Sequence, residues 1–230
     1  VGSHKSGVSE ESFTFDNNDK SSNEEHQTRN EKQETPPLSG QAGNVIALLP
    51  GSRKQEIQKK LPLMLQVSKS FPQYNFIVAK APGVNDNFYD KMMQHYNNVS
   101  SVRNETYNLL MHAKAALVTS GTATLETALF GVPEVVCYKG SNISYQIAKR
   151  LIKVKYIALV NLIMDKMVVK ELIQHDLTVE NLVKELSDLL NNPERKKQIQ
   201  KDYAALKNLL SAGGNASANA ARSIYDFITY

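Results

Sequence analysis

Ala115-Ala116-Leu117-Val118-Thr119-Ser120-Gly121-Thr122-Ala123-Thr124-Leu125-Glu126 compresses an apolar strand, a Ser-Gly-Thr turn and a helix start into one run. The strand spans Ala115–Val118 and the helix opens at Thr122. A helix N-terminus leaves unpaired backbone N–H groups and a partial positive charge, which suits a phosphate. Gly121 lets the backbone approach a ligand closely, and the hydroxyls of Ser120, Thr122 and Thr124 lie beside it. Glu126 follows about one turn into the helix, where its carboxylate can face the same crevice and accept from ribose hydroxyls. Two readings fit this run alone. One is a nucleotide with its phosphate at the turn and its sugar at the acid; the other is a capped surface helix, since Ser and Thr are favoured N-caps.

A second turn of the same kind lies upstream. Val45-Ile46-Ala47-Leu48-Leu49 is an unbroken apolar run, as in a strand covered on both faces of a parallel sheet. Pro50-Gly51-Ser52-Arg53 follows, and Lys54-Gln55-Glu56-Ile57 opens a helix. Arg53 adds a planar guanidinium suited to phosphate or carboxylate. Neither turn is a GxGxxG or a P-loop, so the sequence supports neither a dehydrogenase nor a P-loop NTPase. Two polar turns after two parallel strands line one carboxyl edge, which is where ligands bind in such sheets.

Beyond these turns, strand and helix patterns alternate. The expected strands are Val45–Leu49, Tyr74–Ala79, Val99–Val102, Ala115–Val118, Glu134–Tyr138 and, least marked, Tyr156–Leu159. The expected helices are Lys54–Ser70, Asn85–Asn97, Glu105–His112, Thr122–Phe130 and Ser144–Ile152. Ile57, Leu61, Met64, Leu65 and Ser68 keep the spacing of one buried helical face. Strands separated by helices need right-handed crossovers, so the expected fold class is α/β: a Rossmann-like doubly wound parallel sheet with helices on both faces. C-terminal helices follow at Val168–Gln174, Val179–Leu190, Pro193–Leu210 and Ala216–Ile228. Pro193 at a helix start and Gly213-Gly214 after a helix end are ordinary caps.

The 230 residues suffice for one substantial core or two small ones. Residues 1–44 are rich in Ser, Asn, Glu, Gln and Lys, with Val1, Val8, Phe13, Phe15 and Leu38 as their only large aliphatic or Phe residues. Such a stretch cannot bury enough apolar surface to offset its ordering entropy. It is expected to be a disordered polar leader or linker ahead of a nucleotide-binding domain at 45–230. The leader holds 4 Lys+Arg against 8 Asp+Glu and the domain 23 against 15, a net +8 on the folded part. That balance points to an anionic partner: a nucleotide, a phospholipid surface or nucleic acid. Lysines spread along helices without aromatic interleaving speak against nucleic acid. No apolar run has the length of a membrane span, and the sequence starts without a basic-then-apolar export pattern, so a cytoplasmic location is expected. Cys137 is the single cysteine and has no internal disulfide partner, in keeping with a reducing cytosol. Set in the apolar run Glu134–Tyr138, it reads as a buried small hydrophobe. One Cys and five scattered His form no zinc-type cluster, so no metal and no cofactor is expected.

Five segments together carry a resemblance. They are Leu48-Leu49-Pro50-Gly51-Ser52-Arg53 with Glu56-Ile57, Thr119-Ser120-Gly121-Thr122-Ala123-Thr124-Leu125-Glu126, Pro133-Glu134-Val135-Val136-Cys137-Tyr138-Lys139, Asn161-Leu162 and Glu171-Leu172-Ile173-Gln174. In order and spacing they resemble the C-terminal domain of lipid-A-disaccharide synthase, a GT-B glycosyltransferase family of Gram-negative bacteria, over Asn44 to Tyr230. The resemblance implies transfer of 2,3-diacylglucosamine from UDP-2,3-diacylglucosamine to 2,3-diacylglucosamine 1-phosphate, giving lipid A disaccharide 1-phosphate and UDP. In that family the C-terminal domain is the UDP-sugar half. The departing diphosphate gains charge as the sugar becomes oxocarbenium-like, so fixed donors at the phosphate stabilise the transition state. By resemblance, Gly51, Ser52 and Arg53 meet a donor phosphate, Ser120, Gly121, Thr122 and Thr124 its partner oxygens, and Glu126 the ribose. Asn161 falls near the donor, and Glu171 and Gln174, one helical turn apart, face the same cleft. Tyr138 and Lys139 reach it from a strand end. A UDP-sugar epimerase-like domain of the same fold, or a non-catalytic UDP-sugar-binding module, are the alternatives.

Plainer explanations stand beside these roles. Arg53 and Glu56 are three apart and suit a helix-surface ion pair. Glu171 and Gln174 suit solvated helix positions, and Lys139 suits a loop charge. Lys149, Arg150, Lys153 and Lys155, interleaved with Leu151, Ile152 and Val154, form either a solvated helix face or a patch for the inner-membrane surface, since the family's acceptor is lipidic and phosphorylated. Two departures matter. Leu159-Val160-Asn161 stands where the family commonly has Leu-Pro-Asn, which leaves a less rigid turn. The polar leader takes the place of the family's first Rossmann-like half, which carries the acceptor site and the proposed catalytic carboxylate. Catalytic residues are therefore expected in that N-terminal half, and the chain alone is expected to bind UDP without turning over.

Overall fold

The computed structural model describes residues 44–140, 155–212, 214 and 216–229. Residues 1–43 of the expected leader lie outside them, as do the expected helix Ser144–Ile152 with its Lys149 and Arg150, and Lys153 just beyond it. From the start of the description, β1 (Val45–Leu49) leads into α1 (Lys54–Val67) and a 3-10 turn at Ser68–Ser70, and β2 (Asn75–Lys80) leads into α2 (Asp86–Met93). Next, β3 (Val99–Arg103) leads into α3 (Thr106–His112), and β4 (Ala113–Thr119) leads into α4 (Thr122–Leu129). Then come β5 (Glu134–Tyr138), α5 (Leu159–Met164) and β6 (Lys170–Ile173), and α6 (Val179–Asn191), α7 (Pro193–Ala212) and α8 (Ala216–Thr229) follow.

The strands form one six-stranded sheet in the order β3-β2-β1-β4-β5-β6, with every neighbouring pair parallel. The winding runs outward in both directions from β1 and β4, so the connections diverge there and open a crevice at the carboxyl ends of those strands. Alternate residues of the central strands enter different cores, as the pleat dictates. Ile46, Leu48, Phe76, Val78, Ala115 and Leu117 pack with Ile57, Leu61 and Met64 of α1 and Leu182, Leu186 and Leu189 of α6. On the other face, Val45, Ala47, Leu49, Ile77, Ala116 and Val118 pack with Leu109 and Leu110 of α3. Every residue of β1 is buried, which is why its sequence shows no polar alternation.

Two expectations at the far edge of the sheet are overturned. Tyr156–Leu159 is no strand, because Leu159 opens α5. Val168–Gln174 is no helix, because Lys170–Ile173 is β6, in parallel register with Val135–Tyr138. Val168, Val169, Leu172 and Ile173 mimic a helical stripe by their three- and four-residue spacing. Pairing along β5 outweighs that local signal, as tertiary context routinely does for short apolar runs. Glu171 and Gln174 therefore belong to a strand and its exit, not to successive turns of a helix.

Candidate functional site

Leu49 and Val118 are register partners where β1 and β4 end, and the two glycine turns leave the sheet just beyond them. A cavity of about 270 Å³ opens there, lined by Gly51, Ser52 and Glu56 on one side and Thr119 to Ala123 with Glu126 on the other. Gly51 sits at φ +112, and a Cβ on it would come within 2.8 Å of Glu56 Oε2 and 3.5 Å of Thr119 Cγ2. The positive φ is what calls for a glycine in this first turn, since the close Glu56 oxygen ends a flexible side chain that can shift. Gly121, at φ +148, differs: a Cβ there would meet nothing within 4 Å, so the space in front of it is open. Gly121 is also the N-cap of α4 and gives the helix no side-chain cap, which leaves the first N–H groups of the helix available to a ligand.

The hydroxyls of this turn divide by task. Thr124 is buried, and both its Oγ1 (2.8 Å) and its N–H (3.2 Å) donate to the Gly121 carbonyl, so it braces the turn from behind. Ser120 Oγ donates to the Ile157 carbonyl at 3.2 Å and ties the turn to the segment ahead of α5. Thr122 is exposed at the mouth. Glu126 is half-buried and also borders an adjoining cavity of about 520 Å³ formed by Pro82 and Asn104 to Asn108.

The wall at the end of β2 holds groups missed by the sequence reading. Lys80 Nζ lies 3.0 Å from Asp86 Oδ1 and 3.2 Å from Asp90 Oδ1, over the Tyr89 ring. Arg103 donates to the carbonyls of Ala81 (3.0 Å), Pro82 (3.0 Å) and Val84 (2.8 Å) and to Asp86 Oδ1 (2.9 Å). The Ala81 N–H donates to the Tyr89 hydroxyl at 2.9 Å. Hydrogen bonds from Arg103 and then Lys80 hold the Asp86 carboxyl below its ordinary range. This network pins the loop after β2, whose Pro82 lines both cavities. The available signal was position: Lys80 directly follows the expected strand Tyr74–Ala79, at the same edge as the glycine turns.

The remaining candidates lie outside the lining of that cavity. Arg53 pairs with Glu56 at 3.5 Å and its side chain is 83% exposed, so the plain ion-pair reading describes the arrangement. Tyr138 is half-buried and Lys139 exposed. Asn161 is fully buried, and its carboxamide is saturated within the protein. Its Nδ2 donates to Val169 O and Glu171 Oε1, both at 2.8 Å, and its Oδ1 accepts from the N–H groups of Val168 (2.8 Å) and Val169 (2.9 Å). The Glu171 carboxylate also accepts from the N–H groups of Ile157 and Ala158. Asn161 and Glu171 therefore hold the segment on which Ser120 leans, rather than presenting free groups to a ligand. Gln174 is buried, and its N–H donates to Tyr138 O at 2.8 Å. Cys137 is fully buried, and burial pushes its thiol up to about 12, so it is an inert core residue.

A parallel sheet wound outward from β1 and β4, with two glycine turns meeting at the switch point, defines a Rossmann-like domain of the GT-B architecture. Solved structures share the fold: the calicheamicin glycosyltransferase superposes with a TM-score of 0.55 at 16% identity, over 80% of this chain and 42% of its own. A putative UDP-N-acetylglucosamine 2-epimerase from Listeria monocytogenes does so with a TM-score of 0.51 at 16% identity, over 74% of this chain and 42% of its own. The sequence model of the lipid-A-disaccharide synthetase family matches residues 20–225, and the chain belongs to that family. Among curated relatives, the lipid-A-disaccharide synthase of Syntrophus aciditrophicus is 37% identical over 78% of this chain and 48% of its own length. That of Psychromonas ingrahamii is 38% identical over 80% of this chain and 49% of its own. The chain thus spans about half the length of the curated relatives it matches.

Proposed function

We propose that the crevice between β1 and β4 binds the UDP moiety of UDP-2,3-diacylglucosamine. The chain is then the donor-binding half of a transferase that passes the sugar to 2,3-diacylglucosamine 1-phosphate, making lipid A disaccharide 1-phosphate. The observation that carries this is the convergence of Gly51, Gly121, the uncapped start of α4 and Glu126 on one cavity. The diphosphate lies against Ser52 and the Gly121-Thr122 backbone, and the ribose hydroxyls donate to Glu126. The base continues past Glu126 into the adjoining cavity at Asn104 to Asn108. Arg53 at the rim draws the anion in, and a direct contact requires it to leave Glu56. As the glycosidic bond to the diphosphate breaks, negative charge grows on the departing oxygens, and N–H donors already fixed at the α4 terminus stabilise it without reorganising.

Acceptor binding and the base that takes the acceptor's proton are assigned to a second lobe outside these 230 residues, since the relatives are about twice as long. The lipidic acceptor places the enzyme on the cytoplasmic face of the inner membrane as a peripheral protein. Among the described residues no helix is long and apolar enough to cross a membrane. The test is reconstitution. An N-terminal half from a full-length relative, fused or added in trans, should give transfer from UDP-2,3-diacylglucosamine to the acceptor, and Glu126→Ala in the hybrid should depress it. Robust disaccharide formation by the 230-residue chain alone would contradict the division of labour.

A further inference from the structure

Four buried side-chain polar atoms among the described residues lack a hydrogen-bond partner: Thr119 Oγ1, both carboxyl oxygens of Glu134, and Gln174 Nε2. Glu134 starts β5, at the opposite end of the sheet from the crevice, and Gln174 lies beyond β6 outside the cavity lining. Thr119, the last residue of β4, lines the cavity itself. An orphaned hydroxyl is disfavoured because it has lost its bonds to water and gained none, so it calls for an explanation. The neighbouring hydroxyls supply a contrast. Ser120 Oγ and Thr124 Oγ1 hold the turn together, and each is paired within the protein. Thr119 holds nothing of the kind.

Its methyl Cγ2 faces the first turn, 3.5 Å from where a Cβ on Gly51 would stand. Threonine places Oγ1 and Cγ2 in adjacent staggered positions about 120° apart. One rotation about χ1 therefore brings the hydroxyl to the place the methyl now holds, between the two polar turns. We propose that the Thr119 hydroxyl is a phosphate-binding group, unpaired while the crevice is empty and donating to a diphosphate oxygen when a nucleoside diphosphate is bound. The inference rests on the reading of the crevice as a UDP site and adds to it a residue at the very end of β4. Donation to a charged oxygen is the stronger class of hydrogen bond, and it would convert a buried orphan into a satisfied group only in the bound state.

The test uses the full chain with Thr119→Val, which swaps hydroxyl for methyl at nearly constant shape, and Thr119→Ser, which keeps the hydroxyl. Calorimetric titration of the Val variant should show UDP binding weakened about tenfold or more, with uridine binding changed by less than about twofold. The Ser variant should stay within about threefold of wild type for both ligands. Without ligand, the Val variant should melt at or above the wild-type Tm, because no hydrogen bond is lost. Wild-type UDP affinity in the Val variant would return Thr119 to the core and leave the crevice reading standing. A lowered Tm with equal losses for UDP and uridine would show a structural role instead. Absence of UDP binding in the wild type would remove the crevice reading, and this inference with it.

Discussion

Gly51 and Gly121 both adopt positive φ, yet the surroundings ask different things of them. At Gly51 a side chain would strain the backbone and press on the end of the Glu56 side chain, which is able to move aside. Gly51→Ala is therefore expected to cost stability, about 1–2 kcal/mol by chemical denaturation. At Gly121 a methyl meets nothing within 4 Å in the protein, but it would stand where the proposed diphosphate lies. Gly121→Ala should weaken UDP binding about tenfold or more while costing a similar or smaller amount of stability. For Glu126 the discriminating ligand is 2′-deoxy-UDP. Glu126→Ala should weaken UDP by about 1–2 kcal/mol and the deoxy analogue by less, so that the difference isolates the contact to the 2′-hydroxyl. An equal loss for both ligands would take Glu126 off that hydroxyl. Gly121 and Glu126 could be read in the sequence because a glycine turn and an acid one helical turn later form a local pattern. Thr119 and Lys80 could not, since what brings them to the cavity is the packing of β4 and β2 against β1.

At the scale of elements, β6 and the segment before α5 form a single unit built on Asn161 and Glu171. Glu171 gathers the N–H groups of Ile157 and Ala158, and the Ile157 carbonyl in turn receives Ser120 Oγ. The unit thereby fixes the turn at the mouth of the crevice. Asn161→Ala would leave the N–H groups of Val168 and Val169 and the Val169 carbonyl without their side-chain partner. A loss of about 3 kcal/mol or more is expected from urea denaturation. A loss under about 1 kcal/mol would mean that solvent or backbone movement replaces those bonds. The residues of this unit were legible by type and order but not by conformation. The spacing from Val168 to Gln174 fits a helix as well as a strand, and only the neighbouring β5 settles which one forms.

For the whole molecule, the strands β1 to β5 and the helices between β1 and β5 were legible because each is a local pattern bounded by turn residues. The order 3-2-1-4-5-6 was not, since strand neighbours are set by crossovers between distant segments. One core residue breaks the pattern of an apolar strand: Glu134 is fully buried, and both of its oxygens lack partners. Burial raises its carboxyl well above the ordinary range, and the buried Tyr203 hydroxyl on α7 is raised too, chiefly by burial and then by Glu134. The folded chain keeps a proton that the unfolded chain loses above about pH 4.3, so this group's contribution falls as pH rises from there through the folded value. Glu134→Gln removes that dependence. Its stability relative to wild type should be nearly constant below about pH 4 and should improve by up to about 1.4 kcal/mol per pH unit above it. A difference that does not vary between acid and neutral pH would mean that Glu134 ionises in place.

Calorimetry on the wild-type 230-residue chain shows whether the β1/β4 switch point holds a uridine nucleotide by its diphosphate. UDP and uridine are titrated in parallel at low ionic strength. Charge-assisted contacts to the diphosphate should make UDP bind at least about tenfold tighter than uridine. Equal affinities, or no heat with UDP at millimolar concentration, would mean that the switch point is not a diphosphate site.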